Sequence, residues 1–188
     1  HSVTAFTRSA DAPLEENSEV RVVRGDVFDG AVVADAISGH RAVLSALGPR
    51  TVKKTRLLES AIPNILSGMR QHYISRLIVL GAAGVEPGYG KYQNALTRIG
   101  FWLMMHTALR HPFADQAAQE SLLAASSADY TIVRPPRLTD GPRTGNYRVV
   151  PDGLPPGSLH ISRADVASFM LLQLTDPRFH RQGPYIAG

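Results

Sequence analysis

Leu77-Ile78-Val79-Leu80-Gly81-Ala82-Ala83-Gly84 sets four apolar residues in a row before four small ones. A strand with one wet face alternates apolar and polar residues, and this run does not. Its texture is that of a strand buried on both faces, and the small residues mark where the chain turns away. Working outward, similar short runs recur at residues 3–7, 20–24, 42–47 and 130–133. Helix-length segments separate most of them. Residues 28–37 read as one helix, and residues 54–71 carry Leu58, Ala61, Ile62, Ile65 and Met69 at helical spacing. Pro63 falls inside the second helix and is expected to kink it or to cost it a hydrogen bond. Strand, strand, helix, strand, helix, strand in that order predicts an α/β fold, a doubly wound parallel sheet with right-handed crossovers.

Residues 98–110 read as a helix that is apolar almost all round, with Ile99, Phe101, Trp102, Leu103, Met104, Met105 and Leu109. Such a helix is usually buried. Three roles stay open for it: core, the wall or roof of a substrate pocket, and a subunit contact. His106 on it reads as structural. Residues 137–156 are rich in Pro, Gly and Asp, with a strand at 147–150. Ser162-Arg163-Ala164-Asp165 matches a capping box that opens a helix carrying Val166, Phe169, Met170 and Leu174. A last strand is expected at 184–187. With no internal repeat and no long linker, residues 1–188 read as one domain with a small C-terminal elaboration.

Composition narrows the function classes. A length of 188 residues with 44% hydrophobic content suits a single packed core. The net charge of +4 comes from scattered Lys and Arg rather than a block, which argues against nucleic acid as the partner. No apolar run reaches the ~18 residues of a membrane span, and the N-terminus does not read as a signal peptide. With no cysteine there is no disulfide, thiolate metal site or cysteine nucleophile. The expectation is a cytoplasmic protein without a metal, a monomer or a weak homodimer.

The chain opens on His1, almost inside a strand, and holds no G-x-G-x-x-G; Gly88-Tyr89-Gly90 lacks the third glycine and the strand before it. In a dinucleotide-binding fold a strand, a Gly-rich turn and a helix come first. One such unit, on the order of 20 residues, is therefore expected to precede His1, and the fold is expected to lack its first strand and Gly-rich loop in this chain.

Residues at the carboxyl ends of the strands are the candidates for chemistry, since ligands of open α/β sheets sit there. Thr7, Arg8 and Ser9 close the first strand. Arg8 suits a 2′-phosphate, hence NADP(H), and is otherwise a surface arginine at a strand end. Asp26 and Val27 follow the second strand, where a short polar side chain meets an adenine amine or caps the next helix. Ala46, Leu47 and Gly48 end the third, with Gly48 allowing close backbone approach or simply forming a turn. Gly81, Ala82 and Ala83 end the fourth, leaving room for a flat ring but offering no proton. Pro135 and Pro136 stiffen the exit of the fifth strand, either as the wall of a nicotinamide pocket or only as a rigid turn. Ala83, Trp102, Met105 and Arg137 are expected around the substrate. No catalytic residue emerges. The Tyr-x-x-x-Lys pair is absent, because Tyr89 is followed by Gln93 and Tyr92 by Leu96 at that spacing. Asp165 reads as half of the capping box rather than as an acid.

The order of landmarks resembles the NmrA-like atypical short-chain dehydrogenase family, in its biliverdin reductase B (flavin reductase) branch. The pieces that carry the resemblance begin with His1-Ser2-Val3-Thr4-Ala5-Phe6-Thr7-Arg8, Gly25-Asp26-Val27 and Ala46-Leu47-Gly48. Asp129-Tyr130-Thr131-Ile132-Val133-Arg134-Pro135-Pro136, Thr144-Gly145-Asn146-Tyr147 and Ile161-Ser162-Arg163-Ala164-Asp165-Val166 follow in order. The resemblance implies a Rossmann-like fold, NADP(H), and reduction of flavins or similar flat conjugated molecules. It would place Arg8 on the 2′-phosphate, Asp26 and Val27 at the adenine, and Leu47 and Gly48 along the pyrophosphate-ribose region. Two positions depart from it: the reductases carry Ser where Ala82 stands, and many relatives carry Lys where Gln116 falls.

Two functions follow as expectations. One is an NADPH-dependent oxidoreductase reducing a flavin-like or quinone-like small-molecule acceptor. The other is a non-catalytic NADP(H)-sensing regulatory protein, favoured by Ala82 and Gln116. A sugar-nucleotide epimerase is disfavoured by the missing Tyr-x-x-x-Lys pair.

Overall fold

The strands form where the sequence is richest in branched and aromatic residues. In a computed structural model, which describes residues 2–9, 20–49, 51–157 and 159–188, β1 (Val3–Thr7) and β2 (Val20–Arg24) pair in parallel, Val3 opposite Val20 and Thr7 opposite Arg24. A second parallel sheet runs β3 (Ala42–Ser45), β4 (Arg76–Leu80), β5 (Asp129–Val133), with β4 in the middle.

Side chains alternate across β4, and both faces are covered. Leu77 and Val79 join the core under α1 (Gly30–Ile37) and α2 (Leu57–Gln71), with Ile62, Ile65 and Met69. Ile78 points the other way, to Val166, Phe169 and Met170 of α5 (Arg163–Leu172). Leu77, Ile78 and Val79 are fully buried, each contributing about 1.5–3 kcal/mol of hydrophobic stabilisation. The unalternating run was therefore a true sign of a strand packed on two sides, and the parallel α/β expectation is met.

The remaining pieces extend this frame. Short strands β6 (Arg137–Thr139) and β8 (His160–Ser162) pair in parallel, and β7 (Arg148–Val150) pairs antiparallel with β9 (Tyr185–Ala187). β9 runs beside the end of β5, where the Arg134 N–H donates to the Pro184 carbonyl at 3.0 Å. Arg76 locks β4 to the end of α5, its Nε and Nη2 donating to the Gln173 carbonyl at 3.1 and 2.6 Å.

Several expected boundaries move. β3 stops at Ser45 rather than residue 47, and α2 begins at Leu57 rather than residue 54. Helix α2 continues through Pro63. The helix α1 is capped by Asp29, whose carboxylate accepts the N–H groups of Ala31 and Val32, and not by Asp26. Asp26 instead accepts the Phe28 N–H and shapes the turn before the cap. The expected helix at 98–110 is two helices, α3 (Ala95–His106) and α4 (Arg110–Ala124).

Helix α3 is not the buried helix its composition suggests. It turns Met105 and the half-buried Phe101 inward toward Tyr89, while Leu96 is 81% and Trp102 55% exposed. The reason is that it packs along one side only. Helix α4 escaped notice because its buried residues include polar Asp115, Gln116 and Gln119, which erase the apolar stripe by which a helix is read.

Candidate functional site

Parallel strands all deliver their carboxyl ends to one edge of the sheet, so the turns after β3, β4 and β5 meet there. The ladder continues past the strands themselves: the Gly81 N–H donates to the Val133 carbonyl at 2.8 Å and Ala83 to Pro135 at 3.0 Å. That pairing sets the small-residue turn after β4 directly against the Pro135-Pro136 turn. Between them lies a cavity of about 230 Å³, lined by Gly48 and Pro49 after β3, Leu80 to Ala82 after β4, and Pro135, Pro136 and Leu138 after β5. Pro112, Phe113 and Gln116 of α4 close its far side. Pocket volumes for drug-sized ligands run to roughly 300–1,000 Å³, so this one has room for only part of such a ligand.

Of the expected residues, Gly48, Gly81, Ala82, Pro135 and Pro136 come together in this cavity. Gly48 leaves open space where a side chain would be. Gly81 has a different reason: a Cβ there would lie 2.6 Å from Ile132 Cγ2, so packing of β4 on β5 requires it. Ala83 and Met105 sit just behind, in a buried cluster with Tyr89, Leu154 and Tyr185. Trp102 and Arg137 are exposed and are not among the lining residues; Trp102 stacks instead on His106, rings 4.6 Å apart. Leu47 packs against the core beneath α2, and Ala46 is exposed.

The second group of expected residues gathers at the end of β1 and β2. The Gly25 N–H donates to the Thr7 carbonyl at 3.1 Å, and the Ser9 N–H to Thr7 Oγ1 at 3.1 Å. Arg8 is exposed beside them, and Asp26 follows on the next strand's turn. Val27 turns its side chain into the core, and its carbonyl accepts from Asn64 Nδ2 at 2.9 Å.

Gln116 and Phe113 lie at the cavity without having been expected there. Phe113 had no sequence signal, because α4 itself had none. The one signal at Gln116 is its departure from the family's lysine. Its placement is specific: Gln119 Nε2 donates both to the Leu80 carbonyl and to Gln116 Oε1, each at 3.1 Å.

No charged side chain lines the cavity; the nearest charged cluster in sequence follows β5 at Arg134. The Arg134 guanidinium is buried and donates to both Glu120 oxygens at 3.1 and 2.6 Å, to Glu86 at 2.7 Å and to the Gly183 carbonyl at 2.7 Å. Burial works against its charge, but Glu120 and then Glu86 outweigh that and raise its pKa above the ordinary value. Tyr185 stands 5.4 Å from that guanidinium, and burial pushes its phenol up to about 12.

Asp165 is an anchor. It accepts from the N–H groups of Thr144 and Gly145 at 2.9 and 2.8 Å and from the hydroxyls of Thr144 and Ser162, both at 2.8 Å. Burial would raise its pKa, but these donors prevail and hold it at about 2. Ser162 in turn caps α5 by accepting the Asp165 N–H, as the capping-box motif predicts.

Among the described residues, no group of three or more His, Asp or Glu is placed to hold a metal, and no helix is long and apolar enough to cross a membrane. A family model described as NAD(P)H-binding matches residues 1–177. Solved structures that share the fold include three reductase-type proteins, each under 25% identical. A short-chain dehydrogenase/reductase from Veillonella parvula in complex with NADP is 21% identical, with a TM-score of 0.77 over 100% of this chain and 82% of that one. The candidate NADH-flavin reductase SP1627 from Streptococcus pneumoniae is 23% identical, with a TM-score of 0.77 over 100% and 87%. ChuY, an anaerobillin reductase from Escherichia coli, is 24% identical, with a TM-score of 0.75 over 98% and 84%.

Proposed function

Since the chain belongs to the NAD(P)H-binding family, we propose that it is an NADPH-dependent reductase of a flat conjugated acceptor, flavin-like or quinone-like. The observation that carries this reading is the cavity at the carboxyl ends of β3, β4 and β5, whose walls at Ala82, Pro135 and Pro136 are small or rigid and apolar. Those walls suit one flat ring lying in the recess, nicotinamide or acceptor, with the other stacked outside it. The cofactor supplies the hydride when bound. The protein's part is orientation and exclusion of water from the apolar recess.

Arg8 holds the 2′-phosphate, with Thr7 and Ser9 beside it, while Asp26 meets the adenine and Gly48 lets the dinucleotide run close to the backbone. Reduction of a quinone or flavin also consumes a proton. None of the lining side chains is titratable, so that proton comes from solvent. The same lining favours a second reading, an NADP(H)-binding regulatory protein that turns nothing over.

A fluorescence titration with NADPH and NADH side by side tests the cofactor assignment. NADPH-selective binding that Arg8→Ala reduces about tenfold supports it, a loss equivalent to about 1.4 kcal/mol. Binding without oxidation of NADPH across a panel of flavins and quinones favours the regulatory reading.

A further inference from the structure

The cavity presents one polar side chain among its lining residues. Glycine, proline, alanine, leucine and phenylalanine make up the rest, and Gln116 alone carries a hydrogen-bonding side chain. Gln116 is 8% exposed, so its amide faces either protein or the cavity.

The direction of that amide is fixed by its neighbours. The Leu80 carbonyl can only accept, so it commits Gln119 to present its NH₂ group. The same NH₂ then meets Gln116, which must present its oxygen. The Gln116 amide nitrogen is left over, and it has no acceptor among the described residues. A backbone carbonyl at the end of β4 thus orients two side chains in series and leaves a neutral two-hydrogen donor at the cavity.

We propose that Gln116 is a specificity-determining donor that receives an uncharged carbonyl oxygen on a flat conjugated ring. This rests on the reductase reading above and narrows it. The amide nitrogen is open to the cavity, so a ligand carbonyl that replaces water on it gains a hydrogen bond worth about 0.5–1.5 kcal/mol. An anionic ring gains less, because no cation lines the cavity to offset the desolvation of its charge. The carbonyl belongs either to the carboxamide of the nicotinamide or to the ketone of a quinone-like acceptor.

Calorimetric titration of the wild-type chain, Gln116→Glu and Gln116→Met separates these sources. The titrants are NADPH, menadione, and lawsone (a bicyclic quinone close in shape to menadione whose hydroxyl is ionised at neutral pH). Gln116→Glu can still accept from Gln119 but loses the donor. Gln116→Met removes the donor without adding charge, and reads the same loss should the glutamate variant fail to fold.

A loss of about tenfold in NADPH affinity with menadione unchanged assigns the carbonyl to the cofactor. The same loss for menadione alone assigns it to the acceptor. Wild-type preference for menadione over lawsone supports the selection for neutral rings. Unchanged affinities in folded variants, or lawsone binding as tightly as menadione, overturns the proposal. Menadione binding that depends on Gln116 in a protein that takes up no dinucleotide would overturn the cofactor reading and leave Gln116's role intact.

Discussion

Asp115, on α4, caps a helix that is not its own: its carboxylate accepts the Leu58 backbone N–H at the head of α2 at 3.1 Å. It also accepts the Glu59 N–H at 3.0 Å and the Thr55 hydroxyl at 3.3 Å. Residue Arg56, at the usual capping position, makes no side-chain cap. The negative charge also sits at the positive end of the α2 dipole. Asp115→Ala is expected to cost about 2 kcal/mol, the upper part of the range for a lost cap, because the contact is buried. Urea unfolding would register this as a lower midpoint at unchanged slope; a shift within error would mean that water replaces the cap at no loss.

Acid should loosen the segment that Asp165 holds. Its folded pKa of about 2 lies below its ordinary 3.8. The carboxylate therefore contributes its full stabilisation above pH 3.8, and that contribution fades as pH falls toward 2. Asp165→Asn should melt lower than wild type at pH 6, with the gap closing on acidification. A gap that stays constant between pH 6 and pH 3 counts against the assignment.

Tyr185 offers the opposite case. Its ring is fully buried against Arg134, yet its hydroxyl has no hydrogen-bond partner among the described residues. Tyr185→Phe keeps the ring and removes the orphan group, so stability should hold or rise by about 1 kcal/mol. The wild-type phenol is raised from 10 to about 12, so its ionisation costs the folded state nothing below pH 10 and lowers stability as pH climbs from 10 toward 12. The phenylalanine variant should lack this part of the alkaline decline. A clear destabilisation at pH 7 would reveal a hydrogen bond to bound water.

Gly84 supports the back of the cavity. A Cβ there would lie 2.6 Å from Phe113 Cε1 and nearer still to Met105 Sδ. Gly84→Ala must push one or both aside, at about 1–3 kcal/mol. Because Phe113 lines the cavity, the variant should also bind menadione more weakly. Lower melting with unchanged affinity would show that the displacement goes into Met105.

The parallel sheet was legible because strands packed on both faces advertise themselves as unbroken apolar runs, as at Leu77 to Leu80. The cavity's sheet side was legible for a related reason: strand ends converge, so Gly48, Gly81, Ala82, Pro135 and Pro136 could be gathered without knowing any contact. Its helical side was not. Asp115, Gln116 and Gln119 are buried polar residues, and Asp115 and Gln119 bond to groups distant in sequence, so they gave α4 the surface texture of a loop. Trp102 misled in the other direction, since an apolar residue on a helix with one neighbour stays in water. Leu47 and Val27 stand at strand ends as expected, but tertiary packing turned their side chains into the core.

Pro49, Pro112, Pro135 and Pro136 make up four of the cavity's eleven lining residues. Each has its φ angle locked by its ring, and none has an N–H. The recess is therefore already shaped before anything enters it, with little conformational freedom left to lose on binding. Calorimetry should show this as a modest entropic penalty and a negative heat-capacity change. Discrimination between acceptors would then come from molecular outline together with the Gln116 donor, with no closing motion required.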